Sequence, residues 1–315
     1  MNLQLKQKFY LLRLFQRVII EMAEVYNKNL NNKYKLERKI AEGGMSSIYL
    51  CTNIELGNKW IAKKIELKYA NYIYEEEILK KLNHMSLPKI IDICKDDSGV
   101  YIIQSYIEGI SLQKKLDNLG RFQVDKVIDY TLQLCEVLIY LHNMKPRAII
   151  HKDIKPSNII ITEYDKLVLI DFGISEEIGG VKGSLKGGTN TYASPEQLGS
   201  KRESDTRSDI YSLGILMHRM LRGQLPGNIE TTNIQKKSLI YKKLIEISLK
   251  ASAFLPEERY QGVEEIKKDL LITRNKVILI KESYKIKRKF VLGLIIILSI
   301  INYLCLFVGL LLFKG

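Results

Sequence analysis

Between His151 and Asn158 the chain reads His-Lys-Asp-Ile-Lys-Pro-Ser-Asn. A carboxylate, Asp153, stands five residues before an amide, Asn158, with the ammonium group of Lys155 between them. A second carboxylate, Asp171, follows Asn158 by thirteen residues, closes the apolar run Leu167–Ile170, and precedes Phe172 and Gly173. Residues of these types suit one chemistry together. Phosphoryl transfer needs a group to orient an attacking hydroxyl, a cation near the transferred group, and oxygen ligands for Mg²⁺. Asp153 suits the first role and Lys155 the second. Asn158 and Asp171 offer the oxygens that hard divalent cations prefer.

Such residues need a frame to hold them. Short β-like runs at Tyr34–Ile40, Ile48–Thr52 and Trp60–Ile65 are broken by glycine-containing turns. A helical stretch is predicted over 71–82, then strands at Ile90–Cys94 and Val100–Tyr106. After Gly120 the pattern turns mainly helical; in Asp125–His142, Leu134, Leu138 and Leu141 recur at helix spacing. Strands before helices predict a small β-rich lobe followed by a larger helical one. Asn27–Lys33 is polar and reads as a linker.

The ordered set His151–Asn158, Asp171-Phe172-Gly173 and Ser194-Pro195-Glu196 resembles the protein kinase family, most closely the bacterial eukaryotic-type Ser/Thr kinases. Gly188–Gln197 and Arg207–Gly214 extend the likeness, which covers roughly Tyr34 to Ile272 in order and spacing. The resemblance implies an α+β, bilobal kinase-like fold that binds ATP and Mg²⁺, with Mn²⁺ as an alternative. It implies protein substrates phosphorylated on Ser or Thr, since Lys155 two residues after Asp153 is the Ser/Thr pattern. Asp153 and Lys155 become the catalytic pair, and Asn158 and Asp171 the metal ligands.

The same resemblance places the nucleotide contacts. Ile40, Ala41, Glu42, Gly43, Gly44, Met45, Ser46, Ser47 and Ile48 match the glycine-rich loop. Small residues there let backbone N–H groups approach phosphates. Ile61-Ala62-Lys63-Lys64 matches the V-A-I-K strand and assigns Lys64 to the phosphates. Alternation puts Ala62 and Lys64 on one face and leaves Lys63 as a solvated neighbour. The partner of Lys64 is expected to be Glu75, from which Leu79, Leu82 and His84 fall at the family's spacing. Ser105 and Ile107 match the hinge backbone that meets adenine, with Gln104 at the gatekeeper position; Ala62 and Ile160 complete the set. His151 is expected to pack under Phe172 rather than move protons. Asp209 is expected to cap the catalytic loop through backbone N–H groups, and Glu196 to pair with Arg259. Lys152 replaces the usual arginine before the catalytic Asp, so an activation-loop phosphate on Ser175, Ser184, Thr189 or Thr191 would meet a point charge, not a bidentate fork.

Composition limits the rest. Of 315 residues 46% are hydrophobic, enough for a core without disulfides or a structural metal, and the four cysteines form no CxxC pair. The net charge of +14 sits mainly in the ends: +4 in residues 1–33 and +7 in 273–315, leaving +3 for the middle. A nucleic-acid binder would carry its excess on the folded domain, so no nucleic acid is expected. Phe290–Phe313 is 24 residues without a charge, about 36 Å as a helix at 1.5 Å per residue, and is expected to cross a membrane. Lys281, Lys285, Lys287, Arg288 and Lys289 precede it, and only Lys314 and Gly315 follow. That bias predicts a cytoplasmic kinase domain, with lipid contacts through the C-terminal helix and no external sensor domain.

The expected division is thus 1–33 as a basic amphipathic extension and linker, 34–272 as the kinase domain, 273–289 as a basic juxtamembrane segment and 290–313 as a transmembrane helix. For residues 3–26 three readings stay open: a membrane-surface helix, a helix on the body, or a start-site artefact with Met22 as the true start. Asn302 at mid-span either pairs across a homodimer or is simply tolerated. Two rival functions are a non-catalytic pseudokinase scaffold and a small-molecule phosphotransferase; the Ser-Pro-Glu segment and the Arg207–Gly214 helix argue against the second.

Overall fold

The computed structural model describes residues 28–42, 46–67, 80, 82–171, 176–177, 191–199, 204–226 and 238–312, with side chains as far as residue 300 except those of 176 and 177. The extension at 1–27 and nearly all of the helix expected over 71–82 lie outside these residues.

Six antiparallel strands build the N-terminal lobe: β1 (Asn29–Leu30), β2 (Tyr34–Glu42), β3 (Ser46–Asn53), β4 (Lys59–Ile65), β5 (Ile90–Asp96) and β6 (Gly99–Ser105), in the order β1-β2-β3-β4-β6-β5. Four of the five expected strands run longer than their sequence pattern indicates, and the fifth, Gly99–Ser105, starts and ends one residue earlier. Within the segment expected to be a linker, Asn29 and Leu30 join the sheet as β1, and residues 31–33 turn the chain into β2. Asn31 and Asn32 take φ of 50° and 52°, a left-handed conformation that asparagine tolerates, and turn the chain so that Leu30 pairs with Tyr34. Leu30 is buried, and Lys28 and Lys33 pair with Asp96 and Asp92 at 2.6 and 2.7 Å.

Alternation divides this sheet into two faces. Tyr34, Leu36, Tyr49, Cys51, Ala62, Cys94, Tyr101 and Ile103 form one cluster on its outer side. Ile102, between Tyr101 and Ile103, instead joins the core of the larger lobe, as does Ile90. The thiols of Cys51, Cys94 and Cys135 are free and buried.

The C-terminal lobe packs α1 (Leu112–Leu119), α2 (Val124–His142), α3 (Thr206–Arg222), α4 (Leu239–Ala251) and α5 (Val263–Leu312) around one core. Side chains cap three of the helix starts: Ser111 on Lys114 N, Asp205 on Arg207 N and Ser238 on Tyr241 N. Leu134, Leu138 and Leu141 of α2 are fully buried, as their spacing predicts. At Gly214 a Cβ would lie 2.8 Å from both Ala251 Cβ and Ser248 O, so glycine is what lets α3 and α4 approach this closely. Short strands β7 (Ile110–Ser111), β8 (Ile149–Ile150), β9 (Ile159–Ile161), β10 (Leu167–Leu169) and β11 (Glu176–Glu177) form two small sheets, β10-β9-β7 and β11-β8, that carry the loops of the site.

The expected Glu196–Arg259 pair is present and bidentate, at 2.7 and 2.8 Å, with both side chains buried. Ser208 Oγ donates to the same carboxylate, and Arg259 also donates to the carbonyls of Ala253, Phe254 and Arg207. Burial opposes ionisation of Glu196, but the Arg259 and Ser208 hydrogen bonds outweigh it and hold its pKa at about 2. A depressed carboxylate stabilises the fold above its unfolded pKa, so this contribution should fade only as pH falls from about 4.5 through about 2. Arg259→Met leaves a buried carboxylate unpaired and should cost about 3–5 kcal/mol, read by denaturant unfolding. A loss within error would show that the pair holds nothing.

α5 runs antiparallel to α2, as Glu264 to Asn143, Lys267 to Glu136 and Lys281 to Asp125 make clear. Val263, Ile266, Leu270 and Thr273 are buried and Val277 packs on the core. The helix then continues without a break through the boundaries expected at 272 and 289. Among the described residues no helix is long and apolar enough to cross a membrane; residues 301–313 of the expected span carry no described side chains.

Candidate active site

Asp209, fully buried near the start of α3, organises the catalytic loop. Its carboxylate accepts from the backbone N–H groups of His151 and Lys152, both at 2.8 Å, and lies 2.8 Å from His142 Nε2. This is the expected cap, with His142 as an additional partner. Burial favours the neutral acid, yet His142 and the backbone donors prevail and keep the Asp209 pKa below its ordinary value. Burial lowers the pKa of His151 despite Asp209 nearby, so its ring is neutral at pH 7. Its Nδ1 accepts from Asp153 N at 3.3 Å, which suits a packing and shaping role; Phe172, its expected neighbour, lies outside the described residues.

The loop so held brings Asp153, Lys155 and Asn158 to one point. Lys155 Nζ and Asn158 Nδ2 both donate to Asp153 Oδ2, at 2.7 and 2.8 Å, and Asn158 Nδ2 also reaches Asp153 O at 3.0 Å. Ile170 N donates to Asn158 O at 2.8 Å, which ties the end of β10 to the loop and sets Asp171 beside it. Asp171 has φ of 74°, a left-handed turn that few residues adopt.

Across the cleft, the cation that reaches Asp171 is Lys63, in contact with its Oδ1, and not Lys64. Lys63 is buried, with only 5% exposure, and is no solvated neighbour. The expectations for Lys64 and Ala62 are thereby corrected. Ala62 packs in the outer cluster at 0% exposure, so by alternation Lys64 lies on that outer face, its Nζ 5.8 Å from the ring centre of Tyr101. Register puts Lys63 opposite Ile48 on β3 and Ile102 on β6, and Ile61 opposite Gln104. The cleft-facing set of β4 is therefore Ile61 and Lys63.

In the glycine-rich segment Ile40, Ala41 and Glu42 end β2, and Ser46, Ser47 and Ile48 begin β3; Ala41 pairs with Ile48 and Glu42 with Ser47. Gly43, Gly44 and Met45 lie outside the described residues, as does Glu75. At the hinge the chain leaves the sheet after Ser105, whose N–H donates to Lys89 O and whose Oγ accepts from Lys89 N. Ile107 is half-buried. At Gly109 a Cβ would sit 2.4 Å from Ile161 O and 2.7 Å from Ile160 Cγ2, so the missing side chain lets the hinge press onto β9 beside Ile160. A further residue not singled out from sequence, Gln197, donates to Lys152 O at 2.8 Å.

Taken with the two-lobed fold, this arrangement defines a class. The chain belongs to the protein kinase family, whose protein kinase domain model matches residues 34–282. Among its relatives it is 30% identical over 272 residues to a probable serine/threonine-protein kinase of Clostridium acetobutylicum, covering 78% of this chain and 40% of the relative. It is 28% identical over 268 residues to the serine/threonine-protein kinase PrkC of Bacillus subtilis, covering 77% and 41%. To the serine/threonine-protein kinase PknB of Mycobacterium tuberculosis it is 27% identical over 282 residues, covering 78% and 44%. The matched region thus spans under half the length of these curated relatives.

Proposed function

We propose that this chain is an active Ser/Thr protein kinase that uses ATP and Mg²⁺. The observation that carries the reading is the convergence of Lys155 and Asn158 on one oxygen of Asp153, with Asp171 facing Lys63 across the cleft. The donor set fits Mg²⁺ carried in with a nucleotide. Asn158 and Asp171 offer one amide oxygen and one carboxylate, and among the described residues no cluster of three or more His, Cys, Asp or Glu would hold a metal alone. Mg²⁺ at phosphate sites characteristically takes one or two protein ligands and leaves the rest to phosphates and water. When bound, MgATP supplies the electrophilic phosphorus and the cation that neutralises its oxygens.

The chain's own residues do the rest. Both donors address Asp153 Oδ2, so Oδ1 is the oxygen to receive the proton of an incoming hydroxyl. Lys155, held to Asp153 Oδ2 at 2.7 Å, would share its charge between that carboxylate and a transferring phosphoryl group. Asn158 and Asp171 would hold the metal. Lys63, with Glu75 as the proposed helix partner, would hold the phosphates under the Ile40–Ile48 loop. Adenine would lie between Ile48, Ile61 and Ile160 and meet the backbone of Ser105 and Ile107. The proposed acceptors are Ser and Thr, in line with the names its relatives carry. Incubating the full chain with γ-labelled ATP, Mg²⁺ and a generic protein acceptor should yield phosphoserine and phosphothreonine. Label mainly on tyrosine overturns the subclass, and none at all overturns the enzyme.

We also propose that Phe290–Phe313 anchors the chain in a membrane with the kinase domain in the cytoplasm. Support comes from α5 beyond the body: Phe290, Val291, Leu292, Leu294, Ile295, Ile296, Ile297, Leu298 and Ile300 are exposed on every side of the helix, from 49% to 72%. So much uncovered apolar surface calls for a lipid or protein cover. The preceding Lys285, Lys287, Arg288 and Lys289 favour the cytoplasmic side. Asn302 would then serve a homodimer within the bilayer. The full chain should stay with membranes through an alkaline carbonate wash, and a chain ending at Lys281 should not. Full chain in the wash supernatant, or a kinase domain cleaved by protease outside intact cells, would defeat the anchor or its orientation respectively.

A further inference from the structure

Lys152 precedes the central carboxylate in a left-handed conformation, φ 64°. A lysine gains nothing from this region, so its surroundings must impose it. They grip its backbone at both ends. Its N–H is bound by Asp209 Oδ1 at 2.8 Å, and its carbonyl accepts from Gln197 Nε2 at 2.8 Å. The other end of the same Gln197 amide, Oε1, accepts from both the N–H and the hydroxyl of Ser194, each at 3.0 Å. Ser194 is fully buried. Gln197 follows Glu196, which Arg259 locks to the core, so its own backbone is anchored.

These bonds fix the amide's orientation and its identity. A flipped amide would set N–H against N–H at Ser194 and oxygen against oxygen at Lys152. A glutamate could hold Ser194 but has no donor for Lys152. We propose that Gln197 is a positioning residue: it links the seating of the Ser194 segment to the backbone of Lys152, and so to the aim of Asp153. When that segment is not seated, the carbonyl of Lys152 loses its donor and Asp153 loses its direction. The inference rests on the phosphotransfer reading for its kinetic consequence, though the link itself can be read without activity.

The test compares full-length wild type, Gln197→Met, Gln197→Glu and Ser194→Ala by hydrogen–deuterium exchange, thermal melting and steady-state kinetics. In Gln197→Met and Gln197→Glu, exchange across residues 149–155 should quicken, and kcat should fall between about tenfold and 10²-fold at unchanged KM for ATP, the scale of a misaimed catalytic group. Gln197→Glu should be as damaging as Gln197→Met, because the lost element is the donor to Lys152. Ser194→Ala removes one of two bonds and should fall between these variants and wild type; it also serves if a Gln197 variant fails to fold. Unchanged exchange at 149–155 overturns the proposal whatever the activity, and so does quickened exchange with wild-type kcat. A lowered melting point with kcat intact below it would reduce Gln197 to a structural bond. A wild-type chain that transfers no phosphate defeats the enzyme reading instead, while the exchange comparison still decides whether the link exists.

Discussion

Asp153→Asn should bind MgATP nearly as well as wild type and transfer its phosphoryl group at least about 10²-fold more slowly, the scale of a lost general base. The amide keeps the shape of the carboxylate and can still accept from Lys155 and Asn158, which now donate at 2.7 and 2.8 Å. What it loses is the basic oxygen that orients and deprotonates a hydroxyl. Nucleotide displacement and single-turnover transfer, measured on the same preparation, separate these effects. Turnover within threefold of wild type would remove Asp153 from its role.

A comparably large loss is expected at Lys63. Replacing it with Met withdraws the buried ammonium that contacts Asp171 and, by the proposed mechanism, the phosphates. Transfer should fall by about 10²-fold or more, as when a preorganised electrostatic donor is removed. Lys64→Met, on the outer face near Tyr101, should leave transfer within about threefold. The reverse order of effects would restore the assignment that the sequence suggests. The pair is a sharp test because the two positions are adjacent and carry the same side chain.

Why that strand misled is instructive. In Trp60-Ile61-Ala62-Lys63-Lys64-Ile65 both alternating sets mix apolar residues with a lysine, so the pattern marks no face. Matching Ile61-Ala62-Lys63-Lys64 to the V-A-I-K strand points to Lys64, and a one-residue slip sends every side chain of a strand to the other side. The decision is made by neighbours far away in the chain. Ala62 is the small side chain among Tyr34, Tyr49 and Tyr101, and a lysine there would be buried among them. Ile48 on the facing strand was an available cue, since its register with Lys63 follows from the short turn between β3 and β4.

Other features were plain because they were local or ordered. The helix Val124–His142 announces itself by period. Asp209 and the Glu196–Arg259 pair were reached through resemblance, and their hydrogen bonds then met the expectation. The strand Asn29–Leu30 was not legible, because two residues show no alternation and its partner is a hairpin turn away. Gln197 is illegible for a different reason: nothing in its neighbours tells that its amide crosses to Lys152, 45 residues away. Its adjacency to Glu196 was the one local sign.

The unbroken course of α5 from Val263 to Leu312 has a geometric corollary. A helix turns about 100° and rises about 1.5 Å with each residue. It therefore converts the number of residues between the last core contact, Val277, and the first residue of the apolar segment, Phe290, into a compass bearing as well as a height. One added residue would swing the catalytic cleft about 100° around the helix axis, while seven would return nearly the same heading about 10 Å further out. In the proposed membrane setting the cleft would keep a fixed bearing relative to its own apolar segment, and two copies joined along those segments would hold their clefts at a set dihedral to one another.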